Sequence, residues 1–499
     1  MEIQFGGSRL SAFIFWPLAT VSLGLAGLLL MILYNVTLHP LRKYPGPKLW
    51  AATRIPYALM IIRGDPHKTI LNLHQRYDAD IVRISPNELS FQHPDAWKDI
   101  MGHRSGGGQS WENEKDPDIV EERRIDIISA GRRDHARYRR ILSHSFSARS
   151  MQDQQPIIMT YMDLFTKRLR SVAGRGPVDM VVWYSSTTLD IIGDLTFGES
   201  FGCLERSTNY HPWVRVIFEN IKMLSLINLA RSFWILAPLL KMLVPRDLVE
   251  QGKSHRVFVR EKVDRRMALG TPRPDFAESM LKKGNEPLSQ EEMYENSGLL
   301  VIAGSETTAS ALSGATYLLA TNTDALARLS SEVRSSFASE DEIDLLSTAK
   351  LVYLNAVLEE SLRMYPPVPT AIPRRTPPEG AEILGRWIPG NTTIGIAHWA
   401  LYHNEKLFSR PFGFHPERWL GDDPAFAGDR LDALRPFHVG PRNCLGMNLA
   451  YAEMRVMLAR VIWAFDLRLD EASRDWTDQS CYIVWSKTPL MIHLTPRQS

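Results

Sequence analysis

The fold of this 499-residue chain is decided by one stretch near its C-terminus, Phe437-His438-Val439-Gly440-Pro441-Arg442-Asn443-Cys444-Leu445-Gly446. Apolar sequence with helical periodicity resumes directly after Gly446, which predicts that Cys444 stands at the N-terminus of a helix. The positive end of a helix dipole favours a thiolate over a thiol. With only three cysteines, the chain cannot hold a disulfide framework or a Cys-rich metal cluster. One special thiolate, or a buried structural cysteine in a glycine-rich turn, remains.

The residues around Cys444 suit a haem site. A cysteine thiolate can be the axial ligand of haem iron and donate the electron density that favours O–O cleavage. Gly440 and Gly446 let backbone approach the sulfur and a porphyrin closely. Arg442 is placed to pair with a haem propionate, and Phe437 to pack beside the sulfur and exclude water. We therefore predict Cys444 as the metal ligand and the other four residues as cofactor-binding.

A second feature is one long helix in the centre of the body. Ser289-Gln290-Glu291-Glu292 is a capping box, and helical periodicity continues from it to about Ala320 without a proline. Its middle carries Ala303-Gly304-Ser305-Glu306-Thr307-Thr308, which places a carboxylate and hydroxyls in a buried segment. Two interpretations stay open at this point. The hydroxyls bond to the preceding turn, or the helix opens locally to line a reaction site and handle protons.

The stretch around Cys444 resembles the haem-binding signature of the cytochrome P450 superfamily, F-x-x-G-x-R-x-C-x-G. Further superfamily motifs follow in the expected order: A-G-x-E-T-T at residues 303–308, E-x-x-R at 360–363 and P-E-R-F/W at 416–419. The resemblance covers the whole chain. It implies a mainly α-helical P450 fold with small β-sheets, preceded by one N-terminal transmembrane helix. Short alternating runs at 81–84 and 88–91 predict strands.

The resemblance implies a buried triad of Glu360, Arg363 and Arg418 that locks the core near the haem. Its charges must be mutually paired, because removing one strands the others. The E-x-x-R spacing is weak by itself, since Glu121/Arg124 and Glu471/Arg474 also fit it. Position in the chain selects Glu360, which lies on a helix that ends at a proline pair.

The remaining site residues also follow from the resemblance. His135 takes the aromatic place of the family's W-x-x-x-R pattern and Arg139 the basic one, so both are expected to contact haem propionates from one helix face. The alternative for this segment is a solvated basic face. Arg374 resembles another propionate-binding position. Glu306 and Thr307 are the expected catalytic pair, which delivers protons.

The activity that the resemblance implies is that of a monooxygenase. It uses haem b, O2 and NADPH electrons that arrive through a separate NADPH–cytochrome P450 reductase, with cytochrome b5 as a further candidate donor. A basic face for this partner is expected at Arg132, Arg133, Arg137 and Arg140. The net charge of +2 argues against nucleic-acid binding. The alternative is a haem-thiolate isomerase or dehydratase, which needs no reductase.

Among subfamilies, the chain is most similar to fungal isotrichodermin C-15 hydroxylase-type enzymes of secondary metabolism. This similarity rests on residues 38–47, 134–137 and 303–314. It implies an apolar small-molecule substrate, a terpenoid, polyketide or alkaloid intermediate. The pocket is expected to be lined by a loop at 103–124, a cap at 211–245 and the segments 301–308, 368–372 and 482–485.

The N-terminus predicts a membrane anchor, because residues 10–38 contain no charged side chain. We assign residues 1–9 to a short luminal N-terminus, 10–36 to the transmembrane anchor, 37–50 to a basic and proline-rich hinge, and 51–499 to the haem-thiolate catalytic domain. A cleaved signal peptide is the alternative, although the apolar core is long for one. The basic residues that follow the anchor place the catalytic domain in the cytosol, at the endoplasmic reticulum membrane.

Overall fold

The fold is described from a computed structural model of the chain. It describes residues 7–103, 114–115, 125–206, 223, 225–227, 229, 233, 246–281 and 286–497. Most of the predicted loop at 103–124 and of the predicted cap at 211–245 lies outside these residues.

The described part of the chain is mainly helical, as predicted. Prolines and glycines punctuate the helices; Pro66 opens α4, for example, and Gly198 in a left-handed conformation ends α8. The helices are α1 Gly7–Thr37, α2 Lys48–Ala52, α3 Ile55–Arg63, α4 Pro66–Tyr77, α5 Ala96–Met101, α6 Arg132–Leu142, α7 Ala148–Val172, α8 Met180–Phe197, α9 Cys203–Arg206, α10 Arg246–Ala268, α11 Phe276–Leu281, α12 Gln290–Thr321, α13 Thr323–Ser336, α14 Val352–Met364, α15 His398–Tyr402 and α16 Met447–Ala464.

The strands form small sheets. They are β1 Ile81–Ser85, β2 Glu88–Phe91, β3 Glu114–Lys115, β4 Pro177–Asp179, β5 Arg374–Arg375, β6 Ala381–Ile383, β7 Arg386–Ile388, β8 Thr393–Ile396, β9 Phe465–Leu469, β10 Cys481–Tyr482, β11 Val484–Trp485 and β12 Met491–Pro496. The largest sheet has the order β1-β2-β8-β5-β3, in which β2 and β8 run parallel and pair Leu89 with Ile394. The two strands predicted early in the chain are confirmed as β1 and β2.

The central helix is confirmed as α12, 32 residues and roughly 48 Å long. Its capping box is formed: Ser289 Oγ accepts from the Glu292 N–H at 3.3 Å, and the Glu292 carboxylate accepts from the Ser289 N–H at 2.8 Å. Helix α8 packs along it so closely that a Cβ at Gly304 would lie 2.7 Å from Ile192 Cδ1. A larger residue at this position would force the Ile192 side chain to shift where the two helices approach.

The predicted anchor lies within α1. Across the residues described above, none of the helices combines the length and the hydropathy that a bilayer crossing requires. The transmembrane part of the predicted fold is therefore not confirmed. The predicted hinge, in contrast, is fastened to the body, because the Arg83 N–H donates to the Pro45 carbonyl at 2.7 Å. The Arg83 guanidinium also donates to the carbonyl of Asn35, at the end of the predicted anchor, at 2.9 Å.

Candidate active site around Cys444

Cys444 is held in a tight turn just before α16. Its N–H donates to the Phe437 carbonyl at 2.8 Å, and the Asn443 N–H donates to the Gly440 carbonyl at 3.2 Å. Gly440 has a φ of +78°, and a Cβ there would lie 1.9 Å from the Met101 carbonyl oxygen. This glycine thus lets the turn approach the end of α5, a reason different from the predicted approach to the sulfur.

Burial and the neighbouring groups shift the pKa of the Cys444 thiol in opposite directions. Burial of the thiol raises its pKa, whereas the Gly446 N–H and the charge of Arg139 lower it, and the net pKa lies above the ordinary value. The side chain still keeps an exposed surface. Gly446 is the N-cap of α16, so the predicted placement of the sulfur at a helix N-terminus is confirmed. Phe437 packs on Tyr451, with ring centroids 5.0 Å apart.

Two of the basic residues predicted to bind propionates join this turn to the region of α6. From α6, Arg139 donates to the backbone carbonyl of Asn443 at 2.7 Å and to its side-chain oxygen. Arg442 donates to the carbonyl of Ala130, next to the start of α6, at 3.0 Å. Arg374 on β5 is buried. His135 is also buried on α6, which argues against the solvated basic face that was its alternative.

Three site residues were missed from the sequence: His438, which lies within the turn, and its neighbours Trp97 and His398. The rings of Trp97 and His398 lie 5.2 and 4.8 Å from the His438 ring. Burial, followed by the charges of His398 and Arg374, holds the pKa of His438 well below its usual range, so the ring is neutral. Its Nε2 atom is buried and, among the described residues, has no hydrogen-bond partner. Trp97 and His398 belong to no recognisable sequence motif and are distant from Cys444 in the chain, so the sequence could not indicate them.

The polar residues in the middle of α12 are satisfied in different ways. Ser305 and Thr307 donate to the carbonyls of Val301 and Ala303 at 2.7 and 2.6 Å. The hydroxyls therefore bond to the preceding turn, which is one of the two interpretations left open by the sequence. The helix is not opened locally and continues through this segment. Thr308 is buried and hydrogen-bonds to Glu453 of α16, and burial raises the pKa of Glu453 well above its usual range.

Glu306 and Thr307 do not face the same way. Ala303 is exposed and Thr307 half-buried, whereas Glu306 is buried. Successive residues point about 100° apart around a helix. The Glu306 carboxylate forms an ion pair with the Lys487 ammonium and accepts from Ser310 Oγ at 3.0 Å. The predicted catalytic pair is thus adjacent in sequence but divided between two faces of α12.

The buried charge cluster is assembled as the motifs predict. Arg363 donates to both Glu360 oxygens at 2.9 and 2.7 Å, and Arg418 Nε donates to them at 3.0 and 3.1 Å. All three side chains are fully buried. Asp429, which no motif marks, pairs with Arg418 and brings the cluster to two cations and two anions. Burial alone would raise the pKa of Glu360, but the two guanidinium groups hold it below its ordinary value.

The competing E-x-x-R matches differ from this cluster. Glu471 and Arg474 form an exposed surface pair at 3.1 Å. Residues 121 and 124 lie outside the described residues.

Comparison with known proteins decides the family. A sequence model of the cytochrome P450 family matches residues 45–494. The chain belongs to this family. The P450 resemblance that the motifs predicted is therefore confirmed.

Three similar proteins come from fungi. The P450 is 45% identical to the trichothecene C-15 hydroxylase of Fusarium sporotrichioides over 97% of this chain and 99% of that one. It is 43% identical to the averantin hydroxylase of Dothistroma septosporum, over 97% and 92% of the two chains. It is also 43% identical to the cytochrome P450 monooxygenase astJ of Aspergillus oryzae, over 93% and 94%. The chain is accordingly a cytochrome P450 monooxygenase, similar to enzymes of fungal secondary metabolism.

The family implies haem with a cysteine thiolate, and the residues present fit that group. A haem needs a soft axial ligand, donors for its two propionates and apolar walls. Cys444 would supply the sulfur, and Phe437, whose carbonyl accepts from the Cys444 N–H, would supply an apolar side chain. The guanidinium groups of Arg374 and Arg442 would supply donors around one turn, and the unpartnered Nε2 of His438 would supply another in its Nε2–H tautomer.

Arg137, one residue of the predicted reductase-docking face, forms an ion pair inside the protein. Arg137 pairs with the Glu292 carboxylate of the α12 capping box, where one N–O distance is 3.1 Å, and its side chain is only 15% exposed. Arg133 and Arg140 remain exposed, although both approach Glu286. Arg137 therefore joins α6 to α12 and is not part of an exposed basic face.

The Arg137–Glu292 contact predicts a pH dependence. Burial alone would raise the pKa of Glu292, but hydrogen bonds from Arg137, Ser289 and Tyr138 lower it from 4.5 to about 2. A carboxyl with a lowered pKa stabilises the fold above its unfolded pKa, and this contribution is lost as the pH falls from about 4.5 towards 2. Glu292→Gln is expected to cost about 1–2 kcal/mol at pH 7, allowing for solvent screening, and progressively less below pH 4.5.

Thermal unfolding of both proteins between pH 7 and pH 3 checks this expectation. The matched control is Glu291→Gln, one residue away, which breaks an exposed pair with Arg260 at 2.9 Å. It is expected to change stability by less than about 0.5 kcal/mol at every pH. A Glu292→Gln effect that does not vary with pH contradicts the assignment.

Proposed function

We propose that this P450 oxidises an apolar small-molecule intermediate of fungal secondary metabolism, a terpenoid, polyketide or alkaloid. Electrons come from NADPH through a separate cytochrome P450 reductase, with cytochrome b5 as a further donor. The observation that carries the proposal is the Cys444 turn with its converging donors, in a chain 45% identical to a named C-15 hydroxylase over nearly its whole length. Two hydroxylase relatives act on differently named compounds, so the scaffold is left to experiment.

When bound to the Cys444 thiolate, the haem supplies the oxygen-activating chemistry. The chain's own residues supply position and protons. Arg374, Arg442 and His438 would hold the propionates of that group, with His135 and Arg139 on α6 supporting them. Thr307 is the residue of the expected catalytic pair on the accessible side of α12, where its Oγ1 can hold and pass a proton.

We also propose that residues 10–36 anchor the protein in the endoplasmic reticulum membrane, with residues 1–9 luminal, 37–50 as the hinge and the domain 51–499 cytosolic. Apolar side chains on α1 are exposed, among them Leu23 at 76% and Leu30 at 67%. Leu49 and Ile55, on the neighbouring α2 and α3, are exposed as well. Such a continuous apolar surface suits burial in lipid.

The test uses microsomes that contain the full chain and a fungal reductase. A panel of terpenoid, polyketide and alkaloid scaffolds is supplied with and without NADPH, and product masses are read. We expect one scaffold class to gain one oxygen only with NADPH, and the protein to stay in the membrane after alkaline washing. Turnover that is independent of NADPH would instead identify an isomerase or dehydratase.

Thr307→Ala tests the proton role. We expect product formed per NADPH to fall by roughly tenfold to a hundredfold, at or below the low end of what a positioned proton donor contributes, because water can replace part of it. The measurement compares NADPH consumed with product formed. Thr321→Ala is the matched control, since Thr321 lies on the same helix and bonds to the Tyr317 carbonyl in the same way. Unchanged coupling in Thr307→Ala would exclude this role.

A further inference from the structure

A lysine is buried beside the central helix. Lys487 lies between β11 and β12, and its side chain is 0% exposed. Its ammonium donates to the Glu306 carboxylate and, at 2.5 Å, to Ser310 Oγ. Lysine is almost never fully buried unless it is paired. The pair is a buried link between α12 and the C-terminal segment, 181 residues apart in sequence.

The surroundings favour a single arrangement of this pair. Ser310 contacts both partners, donating to Glu306 Oε1 at 3.0 Å. Nearby Tyr365 is fully buried and donates from its hydroxyl to Gln479 Oε1 at 2.8 Å, so it is engaged elsewhere. If Glu306 turned towards Thr307, the buried Lys487 ammonium would lose its ion pair with the Glu306 carboxylate. That is among the most costly changes inside a protein.

We propose that Lys487 is a positioning residue for the reaction: it holds Glu306 ionised on the buried face of α12, so that Glu306 can serve Thr307 only when Lys487 releases it. The inference rests on the proposed proton role of this helix. Lys487 follows β11, whose Trp485 belongs to the segment expected to line the substrate pocket. Movement of that segment would therefore change the hold on Glu306.

Two variants separate the role of the charge from that of the packing. Lys487→Met removes the charge and keeps an unbranched stem, whereas Lys487→Arg keeps the charge. Burial raises the pKa of Glu306 and the charge of Lys487 offsets part of that rise. In Lys487→Met, Glu306 is thus expected to become protonated at pH 7. A new infrared band of a protonated carboxyl should appear, and it should be absent from the Lys487→Met/Glu306→Gln double variant.

The same holoproteins are then assayed for coupling. We expect Lys487→Met to lower product formed per NADPH by roughly tenfold with little change in KM, because a Glu306 that stays protonated cannot alternate between an ionised, held state and a proton-donating one. Lys487→Arg, which keeps the cation, is expected to retain most of the wild-type coupling. A lysine that only packed would leave both the infrared spectrum and the coupling unchanged, which overturns the proposal. A protonated carboxyl already present in the wild type and lost in Glu306→Gln overturns it as well.

Two further outcomes are interpreted separately: loss of haem uptake in Lys487→Met, and absence of NADPH-dependent product in the wild type. If Lys487→Met fails to take up haem, the double variant, which removes both charges, is expected to fold; its failure to fold would show a packing role and overturn the proposal. If the wild type forms no NADPH-dependent product, the proposed function fails. The infrared measurement does not depend on turnover, so it still shows whether Lys487 keeps Glu306 ionised.

Discussion

Replacing Cys444 by serine is expected to abolish the thiolate-type spectrum of the reduced carbon-monoxide complex and all NADPH-dependent product. The thiolate is the soft ligand that donates electron density to the iron, and a serine hydroxyl is neither soft nor ionised at neutral pH. The turn itself should survive, because its hydrogen bonds come from the backbone of Phe437 and Gly440. The measurements are the difference spectrum and the product mass.

Cys203→Ser is the matched control. The Cys203 thiol hydrogen-bonds to the buried Asp190 carboxylate, and a serine hydroxyl can replace that donor. Spectrum and activity are expected to stay at the wild-type level. If Cys444→Ser retained a thiolate-type spectrum, the ligand would have to be another cysteine.

Glu360→Ala is expected to give apoprotein or misfolded protein. The change removes the anion that faces Arg363 and Arg418 and leaves two guanidinium groups with Asp429 as the remaining carboxylate of the cluster. Breaking a buried ion pair in this way costs about 3–5 kcal/mol, a large part of the stability of a typical domain. The measurements are haem content per protein and the fraction of soluble, folded chain.

Glu471→Ala tests whether the E-x-x-R spacing matters by itself. Glu471 and Arg474 have the same spacing but are exposed, so the loss is expected to stay below about 1 kcal/mol. Haem content should then equal that of the wild type. Normal haem content in Glu360→Ala would reject the assignment of the cluster.

Local patterns predicted most of the architecture correctly. The capping box at Ser289 and the alternation in β1 and β2 act over a few residues, so their consequences can be read along the chain. The Cys444 turn belongs to the same class, because its hydrogen bonds join residues at most seven positions apart.

Other features of the site depended on distant partners. His438 stands inside the recognised motif, yet its role became visible only when Trp97 and His398 were seen around its ring. Asp429 was missed because no spacing relates it to Arg418. Arg137 was assigned to an exposed basic face, since the sequence does not show that Glu292 lies within reach of it.

The sequence by itself predicted Cys444 as the iron ligand, and it determined the place of Cys444 at a helix N-terminus, the long central helix and the family. These depend on residue types at short, fixed spacings, where backbone geometry leaves few choices. Only the tertiary structure decided which face of α12 carries Glu306, and that Lys487 holds it there. A side chain in a buried helix turns towards whatever satisfies its charge, and here that partner comes from the far end of the chain.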